Sequence, residues 1–370
     1  MQSHRTGVCA VFLLAAIAAS IGCRRTEPVA LTEEQRALRE RIQREQSLER
    51  FLRAVDTVEL NIPLEVPVDL IPKIRFFSKG FVLLNPMART IVLVSQDGAF
   101  LRTFGKIGAG PGEFRNLVTG AVDEEDNIYA LDDLLARVSV FRSDGSVLRT
   151  IPVRNPFLVR HMCVSRRGDL FLHHAPDSSS PGFVSVYRAE SLKTCLIPPI
   201  AGFESYYYRG HLEGQVIAST NGDVFESNTF TYRISRIRTD FTVSQFGEEG
   251  DDFVGLPALR SFQTIQQLQR AVAGATIIRQ LLLCDRRSLL LQETLSFPRL
   301  RGDLQRNMRV YDTAGVYLGT LECRGEEFEA SDGNRLLRVH SHPPDARENG
   351  FECKLPSLIL YEVHHEGRKE

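Results

Sequence analysis

Residues 121–151, AVDEEDNIYALDDLLARVSVFRSDGSVLRTI, contain the pattern that decides the fold. Short apolar runs alternate with turns rich in Asp, Asn and Gly, such as Asp126-Asn127 and Asp144-Gly145. Apolar runs of this length between turns of this composition are typical of antiparallel strands. The stretch therefore predicts one sheet of four short strands.

The same unit recurs between residues 57 and 363. Its first turn is found at Lys79-Gly80, Asp126-Asn127, Gly168-Asp169, Gly222-Asp223, Arg287-Ser288 and Gly333-Asn334. A single small sheet cannot bury both of its faces, whereas radial stacking of repeated sheets buries them all. The repeat predicts an all-β, six-bladed β-propeller over 57–363. The last unit is one strand short, so the early run Thr57–Ile62 is predicted to close the ring as the outer strand of the last blade.

The connection before the clearest unit carries a recognisable motif. Residues Phe104–Phe114, FGKIGAGPGEF, resemble the blade-linking signature of the NHL-repeat propellers, and bacterial six-bladed propeller lipoproteins in particular. Asn127–Asp132 and Arg137–Phe141 fit the same repeat, whereas Leu135 stands where the repeat usually has Asn. The resemblance is specific over about residues 100–151 and elsewhere extends to the strand pattern alone.

Residues 1–22 have the form of a lipoprotein signal peptide. The apolar run at 8–21 is too short to span a membrane comfortably, and it ends in ASIGC, with Cys23 last. This ending resembles the bacterial lipoprotein signal, which implies lipidation at Cys23 and an extracytoplasmic protein anchored to a bacterial membrane. Arg24 after the cysteine favours the outer membrane in a cell that has one. An ordinary cleaved signal, or a weak N-terminal anchor, is the alternative.

Residues 23–56 are predicted to form a tether with an amphipathic helix. Thr32 and Gln35 have the spacing of a capping box, and a loose apolar stripe follows. We expect a surface helix that packs weakly on the domain or spaces it from the membrane. A second helix is predicted within 257–273, between the fourth and fifth blades, and residues 364–370 form a charged tail.

Composition excludes several classes of protein. A chain with 43% hydrophobic and 25% charged residues can bury a large core, so it is not disordered throughout. The formal net charge of −1 argues against a nucleic-acid partner. The sequence contains no nucleophile elbow, phosphate-binding loop, H-E-x-x-H motif or calcium loop. It therefore predicts no catalytic residue, cofactor or metal.

One face of the predicted propeller is the candidate binding face. On it lie the connections from one blade's last strand to the next blade's first strand, and those between second and third strands. Arg and aromatic residues supply large contact areas and forked hydrogen bonds at recognition surfaces. The polar and aromatic residues placed on this face are Arg115, Asp132, Asp133, Arg137, Arg160, His161, His173, His174, Tyr206, Tyr207, Tyr208, Arg209, His211, Glu226, Arg260, Arg301, His340 and His342. The alternative is that they are solvated loop residues and packed tyrosines.

Histidine and cysteine residues leave two further questions open. Thr119, His161 and Gln215 are expected at equivalent places near the start of the innermost strands, where a neutral imidazole could bind a metal. Some NHL-type propellers are lyases with a His-bound metal on this face. Cys323 and Cys353 are expected on one face of adjacent blades, where a disulfide could form.

The sequence favours a lipid-anchored propeller that binds a protein, peptide or glycan through its loop face and has no catalysis of its own. A metal-assisted lyase or hydrolase that uses the same face is the competing hypothesis. A purely structural role in an envelope complex is the third.

Overall fold

Six four-stranded antiparallel sheets follow one another along the chain. The computed structural model describes residues 30–69, 73–156, 159–200, 214–247, 253–257, 264, 266–267, 270, 273–284, 288–296, 305–325, 327–340, 345–347, 350–352 and 355–363. Two short helices precede the sheets. The prediction of an all-β, six-bladed propeller is confirmed.

The N-terminal elements and the first three blades occupy the first half of the chain. The N-terminal elements are α1 (Glu33–Glu45), α2 (Leu48–Phe51) and β1 (Leu52–Glu59). Blade 1 consists of β2 (Lys73–Phe77), β3 (Gly80–Asn85), β4 (Thr90–Ser95) and β5 (Phe100–Phe104), and blade 2 of β6 (Leu117–Val122), β7 (Ile128–Asp132), β8 (Arg137–Phe141) and β9 (Val147–Pro152). Blade 3 consists of β10 (His161–Val164), β11 (Leu170–His173), β12 (Val184–Arg188) and β13 (Ser191–Leu196). Each sheet keeps its strands in chain order.

The remaining blades follow the same plan, with a small hairpin inserted into the last. Blade 4 consists of β14 (Gln215–Ala218), β15 (Val224–Ser227), β16 (Ile234–Ile237) and β17 (Val243–Phe246). Blade 5 consists of β18 (Thr276–Cys284), β19 (Leu289–Ser296), β20 (Gln305–Asp312) and β21 (Tyr317–Glu322). Blade 6 contains β22 (Phe328–Ser331), β23 (Arg335–His340) and β26 (Ser357–Val363), and the inserted hairpin is β24 (Asp345–Arg347) and β25 (Gly350–Glu352).

The ring is closed by the N-terminal strand. The order of the sixth sheet is β1-β26-β23-β22, so β1 is the outer strand of the last blade, as predicted. It begins at Leu52, ahead of the predicted boundary at residue 57. Joining the two ends of the chain in one sheet prevents the first and last blades from separating.

The first strands of the blades form a closed inner circle. Each of β2, β6, β10, β14, β18 and β22 contacts the first strands of the two neighbouring blades. The second strands lie between adjacent blades and are buried on both faces, as in β3, where every residue is buried. Outer strands such as β5 are mostly exposed. An apolar cluster fills every junction between neighbouring blades, so burial is spread evenly around the ring.

The predicted amphipathic helix is present as α1, which begins with the capping box at Thr32 and Gln35 and packs against β21. It is a surface helix, as expected, and Ile42 is its single buried residue. The segment that follows it is more deeply packed, because Leu48 and Phe51 of α2 are fully buried in the cluster between blades 5 and 6.

The two faces of the propeller differ in the length of their connections. On one face lie tight turns between first and second strands and between third and fourth strands, such as 78–79, 96–99 and 142–146. The longest connections, including 197–214 and 247–275, begin and end on the other face. That face is the one on which the sequence placed the candidate residues. Most of the helix predicted at 257–273 lies outside the described residues. Gln266, Gln267 and Arg270, which are described, are helical.

Candidate functional site

The inner circle of first strands encloses a channel. A cavity of about 270 Å³ lies in it, lined by residues from all six first strands. The partly exposed apolar residues of its wall are Phe76, Val122, Ile217 and Ala218. Its polar side chains are Arg75, His161, Gln215, Thr220, Glu329, Ser331 and Asp332. The channel therefore combines an apolar wall with a few charged groups, the composition expected of a small-molecule site.

Side chains satisfy part of the free backbone edge that faces the channel. A first strand has no partner strand on its inner side, so its N–H and C=O groups need other partners. The Nε of Arg75 donates to the Gly120 carbonyl at 2.9 Å. The Leu281 N–H donates to Gln215 Oε1 at 2.7 Å, and the Leu283 N–H donates to Ser331 Oγ at 3.2 Å. These contacts also join neighbouring blades.

Arg75 and Glu329 bring opposite charges into the channel from adjacent blades. Glu329 is the extra residue of a β-bulge between Phe328 and Ala330 in β22, and a bulge of this kind turns a side chain away from the regular alternation. Burial raises the pKa of the Glu329 carboxyl, and the Arg75 guanidinium opposes that rise. Burial lowers the pKa of Arg75, and Glu329 opposes that fall. The two groups therefore interact across the junction of blades 6 and 1.

Around Asp132, the predicted binding residues instead hold the backbone together. Asp132 is fully buried at the end of β7, and Oδ2 accepts from the N–H groups of Arg115 and Asn116 at 2.6 and 3.3 Å. Its Oδ1 accepts from the Leu135 N–H at 2.8 Å. Arg137 Nη2 donates to the carbonyls of Gly110 and Glu113 at 2.6 and 3.0 Å.

These bonds fasten the glycine-rich connection, residues 105–116, to blade 2. Gly105 and Gly112 have φ values of +84° and +74°, which only glycine adopts without strain, and Phe114 at its end is fully buried. Of the predicted binding residues Arg115, Asp132 and Arg137, only Arg115 is exposed. Asp132 and Arg137 therefore act in the architecture of the face rather than as its contact surface.

A second group of predicted residues lies at the junction of blades 3 and 4. His173 ends β11 and Glu226 lies in β15, and both are buried, at 5% and 0% exposure. Their closest approach, between His173 Nε2 and Glu226 Oε1, is 3.4 Å. Neither Glu226 oxygen accepts a well-formed hydrogen bond from the described residues. The imidazole stacks on Phe183, with ring centroids 5.8 Å apart.

His174 is buried next to this pair in a different environment. One ring nitrogen, Nδ1, lies 2.8 Å from the Ala175 carbonyl, and the other, Nε2, lies 2.6 Å from Ser185 Oγ. Burial lowers the pKa of His174 to about 4, although the bond to Ala175 opposes that shift. The ring is therefore neutral at neutral pH, with a donor and an acceptor role that its two contacts satisfy.

The remaining candidates do not gather at one point. Arg160 precedes β10, His161 begins that strand and lines the channel, and His340 is exposed at the end of β23. Asp133 accepts a hydrogen bond from Asn116 at 2.8 Å. The candidates that lie outside the described residues are Cys23, Tyr206, Tyr207, Tyr208, Arg209, His211, Arg260, Arg301 and His342.

The expected equivalence of Thr119 with His161 and Gln215 is confirmed by the strand register. Counted from the turn between the first and second strands, the fourth pairs are Thr119 with Leu131, His161 with His173 and Gln215 with Ser227. Thr119 is fully buried, whereas His161 and Gln215 line the channel.

The possible disulfide between Cys323 and Cys353 cannot be placed on the structure, because Cys353 lies outside the described residues. Cys163, Cys284 and Cys323 are buried, as expected for cysteines packed as small apolar groups. Burial raises the pKa of the Cys163 and Cys323 thiols.

No group of three or more His, Cys, Asp or Glu side chains among the described residues is arranged to hold a metal ion. No helix in that part of the chain is both long enough and apolar enough to cross a membrane.

Comparisons with known proteins concern the fold. The model of the DUF5128 family, described as a 6-bladed beta-propeller, matches residues 34–244, a span that begins inside α1. A Bacteroides fragilis protein whose name describes it as exported has a TM-score of 0.63 and 16% identity, over 86% of this chain and 97% of that one. A DUF4221 family member from Bacteroides vulgatus has a TM-score of 0.64 and 10% identity, over 87% and 100%. A search of curated proteins found no match.

Proposed function

The chain belongs to the DUF5128 family of six-bladed β-propellers, and we propose that it is an extracytoplasmic, lipid-anchored protein that binds a protein, peptide or glycan without catalysing a reaction. The ligand binds on the face that carries the long connections, around the mouth of the channel. Cys23 carries the lipid, and the outer membrane is the site of anchoring in a cell that has one.

The observation that carries the binding proposal is the difference between the two faces. Tight turns cover one face, whereas the connections 153–160, 197–214 and 247–275 all begin and end on the other. Recognition residues concentrate on loops that a rigid scaffold positions, and here the scaffold is a closed ring with a core at each junction. The exported Bacteroides fragilis protein of similar fold supports an extracytoplasmic location.

Binding is tested with the purified mature chain on glycan and peptide arrays. Arg160→Ser and His340→Ser change the face with the long connections, whereas Arg142→Ser changes an exposed residue in a tight turn of the other face. We expect the first two substitutions to weaken capture of the array ligand and the third to leave it unchanged. An equal loss in all three would contradict a site on the long-connection face.

The proposed lipid anchor on Cys23 is tested separately in a bacterial host. Labelling with an alkyne fatty acid should mark the wild-type protein and not Cys23→Ser, and only the wild type should sediment with membranes.

A metal-assisted reaction on the same face would replace the binding proposal if the purified chain held stoichiometric metal and turned over a substrate in a manner lost on His161→Ala.

A further inference from the structure

The charged groups of the channel differ in how they are neutralised. Asp332, at one end of the cavity, accepts two hydrogen bonds from the Arg335 guanidinium, at 2.8 and 2.9 Å. Near Glu329, the side chains of Arg279 and Glu327 form an ion pair with each other. Both pairs are complete without a ligand.

Arg75 and Glu329 are not neutralised in this way. Arg75 uses Nε and Nη1 to bind the carbonyls of Gly120 and Ile74, which leaves its Nη2 group without a partner among the described residues. Glu329 accepts no hydrogen bond from that part of the chain, and the two side chains influence each other without forming a direct ion pair. Both side chains are partly exposed and line the channel, so a ligand there can contact each of them.

We propose that the channel binds a small zwitterion with an apolar side chain, of the class of the free α-amino acids. Its carboxylate accepts hydrogen bonds from Arg75, and its ammonium group donates to Glu329. The two charged groups of an α-amino acid are attached to one carbon atom, so they suit two partners on adjacent strands. The apolar side chain lies against the partly exposed apolar residues of the lining, Val122, Ile217 and Ala218.

Charge and size argue against other small ligands. A phosphate or other polyanion would meet the carboxylates of Glu329 and Asp332, whereas a simple cation would leave Arg75 unpartnered. The cavity of about 270 Å³ is small for an oligosaccharide and ample for a single amino acid. The bulge at Glu329 positions the carboxylate for this contact, and the hydrogen bonds of Arg75 to Gly120 and Ile74 hold its guanidinium in place.

The test uses the mature full chain, with L-leucine, L-methionine and L-phenylalanine as probes in calorimetry. We expect at least one of them to bind, and Glu329→Gln and Arg75→Gln each to weaken that binding by about tenfold or more, as for the loss of one charge-assisted hydrogen bond. Glu322→Gln, an exposed change at the outer edge of blade 5, is the matched control and should leave the affinity unchanged.

Ligand analogues test the same contacts when a variant fails to fold. For a probe that binds, the amide removes the carboxylate and the N-acetyl derivative removes the ammonium group, so each should bind the wild-type chain about tenfold more weakly or worse. The proposal is overturned if no probe binds at millimolar concentration, or if either derivative binds as well as the free amino acid. It is independent of the loop-face ligand, since the array experiment can succeed while these probes fail.

Discussion

Blades 2 and 3 each end their second strand on a buried polar side chain, Asp132 and His173, in very different surroundings. The oxygens of Asp132 accept from three backbone N–H groups, whereas His173 lies against Glu226, neither of whose oxygens accepts a well-formed hydrogen bond from the described residues. A buried polar residue that ends a second strand therefore supports a connection in blade 2 and belongs to a buried side-chain pair at the junction of blades 3 and 4. The neighbours of such a residue decide its role.

This comparison predicts a large effect for Asp132→Ala. The substitution leaves three backbone N–H groups near a buried position without an acceptor, and we expect the free energy of unfolding to fall by about 4 kcal/mol. Denaturant titration of both proteins measures the change. A loss below about 1 kcal/mol would show that water replaces the carboxylate, and that Asp132 does not hold the connection.

His174 predicts a pH effect confined to the junction of blades 3 and 4. The pKa of His174 is about 4 in the folded protein, against an ordinary value of 6.5. Between pH 4 and pH 6.5 the imidazole is therefore protonated in the unfolded chain and neutral in the folded one. The contribution to stability is complete above pH 6.5, falls as the pH falls, and is lost by pH 4. It amounts to about 3 kcal/mol across the window.

The measurement is the free energy of unfolding as a function of pH for the wild type and His174→Gln. The glutamine does not titrate, so the difference between the two proteins isolates the imidazole. Parallel pH profiles would contradict a neutral buried ring at this position.

Arg137→Met tests the second support of the glycine-rich connection. It removes the hydrogen bonds to the Gly110 and Glu113 carbonyls while keeping much of the aliphatic packing, and we expect a loss of about 2 kcal/mol. Arg115→Met is the control: its side chain is exposed, and the change should cost about 0.5 kcal/mol or less. Equal losses in the two variants would remove the distinction drawn between them.

Glu226→Gln is expected to have a small effect, and it compares the buried His173–Glu226 pair directly with Asp132. It breaks no well-formed hydrogen bond among the described residues and keeps the shape of the side chain, so we expect a change of about 1 kcal/mol or less. Asp132→Asn, the same acid-to-amide change, should cost about 2 kcal/mol because one oxygen acceptor becomes a donor facing N–H groups. If Glu226→Gln proved the more damaging, the buried pair would be the stronger structural element.

The strand plan was predictable because each blade repeats a local signal. Turn residues such as those at Asp126-Asn127 and Gly222-Asp223 mark the hairpins, and the missing last strand identified the run that became β1. The packing of α1 was not predictable, because Ile42 is buried only through contact with blade 5, far away in the chain. Gly319 makes room for it: a Cβ there would lie 2.7 Å from the Ile42 side chain.

The candidate site was predictable in part. His161 was correctly expected in the innermost layer, since it begins a first strand. Arg75 and Glu329 were not singled out, because a charged residue in a short strand looks like a solvated one. Only the bulge in β22, and the approach of blade 6 to blade 1, show that these two side chains face the channel.

The amino-acid sequence by itself determined the number of blades, the order of their strands and the strand that joins the two ends, since turns and alternating apolar residues act over a few neighbouring positions. The tertiary structure decided which polar side chains are buried and which partners they meet. Those contacts join residues from different blades, and a one-residue bulge that leaves no mark on the local pattern is enough to redirect them.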